Sequence, residues 1–140
     1  MAEPSNPTTL LLEIVTPQRL VLCEQVSEVI APGVQGYFGV LPGHIPFVSS
    51  LTIGELAYRR QKEERHLAII WGYAEVLPDR VIILAEEAQK PEEIDVARAE
   101  AARDRALERL RKGEPGTDLQ RADLALRRAL IRLQVASRRQ

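Results

Sequence analysis

The side chains best able to do chemistry are few here, and most are scattered. His44 and His66 fall in a loop-like stretch and near a strand start, where turn or surface roles are commoner than catalysis. Cys23, the one cysteine, sits in a strand-like run and reads as core packing. A single cysteine also excludes an intramolecular disulfide framework and fits a reducing compartment. Glu86-Glu87 and Glu92-Glu93 read as solvated charge and helix-start acids rather than as a general acid/base pair. No Walker-type phosphate loop, no paired Cys/His metal spacing and no Gly-x-Ser-x-Gly elbow is present. The expectation is therefore a protein that is not an enzyme, with no catalytic residue, no metal and no required cofactor. Arginine is the exception to the scatter. At about 100° per residue, Arg98, Arg105 and Arg109 share one helical stripe. Arg121, Arg128, Arg132 and Arg139 share another. Brought together, such guanidinium groups repel unless an anion sits among them, and arginine suits forked contacts to phosphate. On spacing alone, a solvated face is the plainer reading.

The elements that must position these arginines change character near residue 91. Before it, short β-rich runs alternate with turns: Leu10 to Val15 stopped by Thr16-Pro17, Leu20 to Cys23, and Val26 to Ala31 broken at Pro32-Gly33. Gly33, Gly36, Gly39 and Gly43, with Pro42 and Pro46, predict a shaped loop crossing between sheets. Glu55 to Arg60 and Leu67 to Trp71 flank a polar tip as one hairpin. Tyr73 to Leu77 and Val81 to Leu84 flank Pro78-Asp79-Arg80 as another. After residue 91 a helix is predicted from Pro91 to Lys112, stopped by Gly113. Thr117 to Gln120 reads as a capping box for a second helix, running to about Ser137. The expected fold is α+β: an N-terminal antiparallel β-sandwich over residues 1–90, then a two-helix antiparallel hairpin over residues 91–140.

Charge divides at the same place. Residues 1–90 carry 7 Lys/Arg against 11 Asp/Glu, and residues 91–140 carry 12 against 9. The overall net charge of −1 gives no reason to expect nucleic-acid binding. No stretch approaches the roughly 20 apolar residues of a membrane span, and Met1 to Thr9 has no signal-peptide pattern. Within the helices, Leu119, Ala122, Leu126, Leu130 and Leu133 form an apolar stripe, with Leu124, Ile131 and Val135 as a second flank. One orientation cannot bury both, so the second helix suits alternative partners. The first helix offers a thin seam, Ala97 and Ala101 with Ile94 at its start, which holds a hairpin only lightly.

The order of parts resembles the epsilon subunit of bacterial F-type ATP synthases. The resemblance rests on Val15-Thr16-Pro17, on Gly36-Tyr37-Phe38-Gly39-Val40-Leu41-Pro42-Gly43-His44-Ile45-Pro46, on Gly72-Tyr73-Ala74-Glu75-Val76 and on Val81 to Glu86. It covers nearly the whole chain. It implies a rotor subunit, peripheral to the cytoplasmic face of the bacterial inner membrane, whose sandwich docks on the gamma subunit and the c-ring. Gly36, Tyr37, Phe38, Gly39, Pro42, Gly43 and His44 would make that contact, with Tyr37 where family members often carry an acid. Some members bind ATP as a regulatory ligand through Ile/Leu-Asp-x-x-Arg-Ala. This chain reads Ile94-Asp95-Val96-Ala97-Arg98-Ala99, and Arg105, Arg128 and Arg132 match the family's further arginines. Gln89 stands where those members have an acid. From spacing alone, Asp95 is a first-turn acid paired with Arg98.

The resemblance further implies a switch. A folded hairpin would leave the rotor free, whereas an extended one would present the second helix's arginines to the beta subunits and stall hydrolysis. The competing expectation is a β-sandwich interaction module with a helical dimerisation arm.

Overall fold

Alternation of apolar and polar side chains organises the first part of the chain. In strand β1 (Leu10–Val15), Leu10, Leu12 and Ile14 are fully buried, and the residues between them are half-buried. Seven strands follow: β2 (Leu20–Val26), β3 (Glu28–Gly33), β4 (Gly36–Val40), β5 (Phe47–Leu51), β6 (Gly54–Arg60), β7 (Glu63–Leu77) and β8 (Arg80–Gln89). A computed structural model describes residues 8–139, and the chain divides into two compact units between Ala88 and Gln89. Met1 to Pro7 lie outside the described residues.

The strands form one sheet in the order β2, β1, β8, β7, β5, β3, β4, with β6 between β3 and β7. It folds over on itself as a β-sandwich around Leu12, Ile14, Val29, Val40, Leu56, Ile69, Val76 and Ile83. Most pairings are antiparallel as expected, but β1 and β8 run parallel, with Leu12 beside Val81 and Ile14 beside Ile83. No hairpin joins these two strands, so nothing local dictates their direction.

Three local expectations change. The glycine-rich stretch contains strand β4, which pairs with β3 from Val29–Val40 to Gly33–Gly36. Cys23 is exposed on β2 rather than packed in the core, because it stands opposite Glu13 on the outward side of β1. The two runs read as ending at Trp71 and beginning at Tyr73 are one strand. β7 pairs with β6 through Ile69 and with β5 from Gly72 onward. It turns between these partners at Trp71, with φ of 53°, and Gly72, with φ of 155°. A β-strand tryptophan in the left-handed region is strained. Gly72 is required there, since a Cβ would stand 2.1 Å from the carbonyl oxygen of Leu84.

The second unit holds helices α1 (Val96–Lys112) and α2 (Leu119–Ala136). Pro91 does not open α1. It begins a 3₁₀ turn, Pro91–Glu93, and the chain is extended at Ile94 and Asp95 before α1 starts. Asp95 is the N-cap of α1, accepting from the Arg98 amide at 3.1 Å. The N-cap of α2 is Asp118 rather than Thr117, with its carboxylate 3.0 Å from the Arg121 amide. Gly113 ends α1 at φ of 55°, as its position predicted.

Replacing Gly72 with Ala should cost the sandwich about 2–4 kcal/mol, because the carbonyl it meets is backbone and cannot swing away. Chemical denaturation reads this directly. A loss below about 0.5 kcal/mol would show that the corner relaxes freely.

Candidate functional site

Two surfaces of the sandwich carry exposed apolar side chains. The first is the tip that follows β4. Its shape comes from backbone bonds: the Gly43 amide donates to Pro78 O at 2.8 Å and the His44 amide to Leu41 O at 3.2 Å. Gly43 takes φ of 85°, which an L side chain resists. Phe38 and Phe47 meet edge to face at 5.0 Å, and His44 lies tilted against Phe47 at 5.6 Å. Leu41 and Ile45 are left exposed at the tip. Tyr37 is exposed as well, yet its hydroxyl accepts from the Glu55 amide at 3.2 Å. Gly54 leaves room for that contact. Of the predicted contact residues, Gly36, Tyr37, Phe38 and Gly39 lie on β4, and Pro42, Gly43 and His44 lie in the tip.

Sequence reasoning missed the second surface. A shallow groove of about 710 Å³ is lined by Pro17, Val34, Trp71, Tyr73, Leu84 and Glu86 among others. Val34, Tyr73 and Leu84 are each more than half exposed. The sequence signal was there, because outward positions of a half-buried strand are ordinarily polar, and Tyr73 of β7 and Leu84 of β8 are aromatic and apolar. Beyond these surfaces, His66 Nδ1 stands 2.6 Å from the buried Glu55 carboxylate, so His66 is a paired group rather than a free surface residue.

In the helical unit the alanines that are buried are not those expected. Ala97 and Ala101 are exposed; Ala99 and Ala106 of α1 are buried. On α2 the buried alanines are Ala122, Ala129 and Ala136. Spacing of seven residues on both helices lets successive alanines meet and the backbones approach closely. Leu119 and Leu130 of the expected stripe remain nearly half exposed, as does Leu107. Val135 of α2 is fully buried as well, beside the alanines.

This register decides where the arginines go. Arg98, Arg105, Arg121 and Arg128 each stand one residue before a seam alanine. On antiparallel helices, the position before the seam falls on the same side of both, since each helix turns in the opposite sense when viewed from one end. Arg132, three residues after Ala129, lies on that side too. Its Nε donates to Gln89 Oε1 at 3.0 Å, so two of the candidate nucleotide-binding residues are in direct contact. Ile94 and Ala99 are buried, Arg128 and Arg132 half-buried, and Asp95, Arg98 and Arg105 exposed. The carboxylate of Asp95 is engaged as a helix cap rather than by the Arg98 guanidinium. Elsewhere on α1, Arg111 donates to Glu108 at 2.6 Å and holds its carboxyl below the usual range. That exposed pair stabilises little. Among the described residues, no group of three or more His, Cys, Asp or Glu is placed to hold a metal ion, and no helix is long and apolar enough to cross a membrane.

The chain thus consists of a β-sandwich followed by an arginine-bearing helical hairpin. Residues 9–91 match the family described as ATP synthase, Delta/Epsilon chain, beta-sandwich domain, and residues 92–137 its long alpha-helix domain. The chain is 55% identical over 127 residues to an ATP synthase epsilon chain of Syntrophobacter fumaroxidans, covering 91% of this chain and 95% of that one. It is 50% identical over 129 residues to the epsilon chain of Moorella thermoacetica, covering 91% and 96%. The chain belongs to the delta/epsilon family of ATP synthase subunits, as an epsilon chain. Its fold is similar to that of a chain in the Euglena gracilis mitochondrial ATP synthase, with a TM-score of 0.79, 24% identity and coverage of 97% and 86%.

Asp95→Ala should destabilise α1 by about 1 kcal/mol through the lost cap, while Asp95→Asn should cost only a few tenths. Thermal unfolding followed by circular dichroism separates the two. Equal losses would mean that the charge, not the cap, is what α1 needs.

Proposed function

We propose that this chain is the rotor subunit that couples the catalytic head of a bacterial ATP synthase to its membrane ring, and that its helical hairpin restrains ATP hydrolysis. It carries no catalytic residue of its own. The observation that supports this most is the match along both units to bacterial epsilon chains, at half or more of all aligned positions. In this reading the protein sits at the cytoplasmic face of the inner membrane, held there by its partners.

Each surface then has a task. The exposed apolar tip at Leu41 and Ile45, with Tyr37 and His44 beside it, meets the polar loops of the c-ring. Tyr37 is committed to Glu55, so the contact at that position is one of packing rather than of charge. The groove with Val34, Trp71, Tyr73 and Leu84 receives the gamma subunit, whose docking would cover an apolar patch otherwise left in water.

The hairpin acts as a two-state arm. When α1 and α2 pack on their alanine seam, the arginines gather on one side and repel. A triphosphate held by Arg98, Arg105, Arg128 and Arg132 relieves that repulsion and favours the folded arm. When the helices part, the arginines of α2 face acidic segments of the beta subunits, and hydrolysis stalls. ATP shifts the balance only by its preference for the folded state. At 100 times its dissociation constant, with no binding to the extended state, the shift is roughly 2.7 kcal/mol. ATP is thus a regulatory ligand and not a substrate of this chain.

Two measurements test the reading. Leu84→Glu, at an exposed site, should abolish the stoichiometric complex with gamma on size exclusion while leaving the sandwich folded; a persisting complex would remove the groove from the contact. Arg128→Ala should weaken ATP binding by about tenfold or more in calorimetry. Unchanged affinity would place the nucleotide elsewhere.

A further inference from the structure

Arg139 lies outside every family motif quoted above, yet it donates hydrogen bonds to carbonyls 48 and 45 positions earlier in the chain. Past the C-cap Ser137 the chain stays in tight turns, with the Arg138 amide on Val135 O and the Arg139 amide on Ala136 O. These turns send the Arg139 side chain back across the hairpin. Its Nε donates to Pro91 O at 2.9 Å, and a terminal nitrogen of the same guanidinium donates to Ile94 O. The two carbonyls bracket the break between the 3₁₀ turn and α1. Pro91 O already closes the 3₁₀ turn by accepting from the Ile94 amide at 3.3 Å. A single fork therefore fixes both sides of the break, and its charge sits where carbonyls at the end of α2 favour a cation.

Arg132 stands seven residues earlier on α2, on the same face, and holds Gln89. The pair grips the segment from Gln89 to Ile94 at two points two helical turns apart. Past the end of β8 at Gln89, only the one-turn 3₁₀ element and the bond from the Lys90 amide to the Glu93 carboxylate order this segment, and it leads directly into the Asp95 cap of α1.

We infer that Arg139 is a positioning residue. Without touching a nucleotide, it sets Gln89, Ile94 and Asp95 against α2 and so holds the folded hairpin in the register that makes the anion site. This inference rests on the regulatory-nucleotide reading for its ligand, but the clamp itself does not. Loss of the fork frees the break, lets the start of α1 fray, and moves Gln89 and Asp95 away from Arg128 and Arg132.

The test uses the full chain with Arg139→Met, which keeps the aliphatic stem, and Arg139→Lys, which keeps the cation. Amide hydrogen exchange at Glu93, Ile94, Arg98 and Ala99 reads the clamp, since each of these amides is hydrogen-bonded within the clamped segment or its cap. ATP titration by calorimetry reads the site. Arg139→Met should speed exchange at those amides about tenfold and raise the dissociation constant for ATP about tenfold, with exchange in residues 8–88 unchanged. Arg139→Lys should recover affinity to within about threefold of the natural chain, a rescue that simple loss of packing would not show. Unchanged exchange in Arg139→Met overturns the clamp. Faster exchange with unchanged affinity overturns the positioning role. If the natural chain binds no ATP, the regulatory reading fails by itself, and exchange alone still decides the clamp. Should Arg139→Met lose its helices outright, Arg139→Lys carries the decision: affinity and exchange near natural values support the inference, and loss of both by more than about tenfold contradicts it.

Discussion

The fold depends on the corner at Trp71 and Gly72. One edge of β7 faces β8 and the other serves two strands in turn, β6 before the corner and β5 after it. The corner needs a residue without a side chain where the backbone of Leu84 passes, and Gly72 is that residue. It also places Trp71 in a backbone region that costs of order 1–3 kcal/mol. The surrounding core, with Ile69 and Ala74 fully buried on either side, offsets that strain. The same corner brings Trp71 and Tyr73 into the exposed groove. The feature that closes the sandwich thus also shapes the surface offered to a partner.

The helical unit follows a different logic. Its helices are well ended, with aspartate caps at both starts and Gly113 at the end of α1, which satisfy backbone groups that would otherwise be left open. Their contact is built on alanines, each of which buries far less area than a leucine. The arginines bordering the seam weaken it further unless an anion is present. Contacts from Arg132 to Gln89 and from Arg139 to Pro91 and Ile94 oppose that weakness at the open end of the hairpin.

Much of this was legible in the sequence, because it depends on local chemistry. The sandwich-then-hairpin order, the stop at Gly113 and the burial of Ile94 all follow from periodicity and from residues with special backbone preferences. The glycine-rich motif identified the family, and full-length relatives bear that out. What failed depended on phase or on long-range pairing. Ile94 did not set the phase of α1, because the extended residues Ile94 and Asp95 interrupt the backbone before α1 begins. With alanines at 97, 99, 101, 102 and 106, composition alone could not choose the seam. The parallel pairing of β1 with β8 joins distant segments and leaves no local mark. Cys23 was misread because an apolar run does not say which of its alternate members points outward. In the candidate site, the contact between Gln89 and Arg132 depends on how α2 lies against the start of the hairpin, which spacing along one helix cannot reveal.

In the function proposed above, the hairpin and not the sandwich restrains hydrolysis. The most direct test is the ATPase rate of a catalytic core depleted of its epsilon subunit, to which either the full chain or a chain ending at Ala88 is restored. Both should restore a stoichiometric complex, only the full chain should slow hydrolysis, and raising ATP should relieve the slowing. Equal rates with the two chains would contradict that function and leave the helices a passive tail.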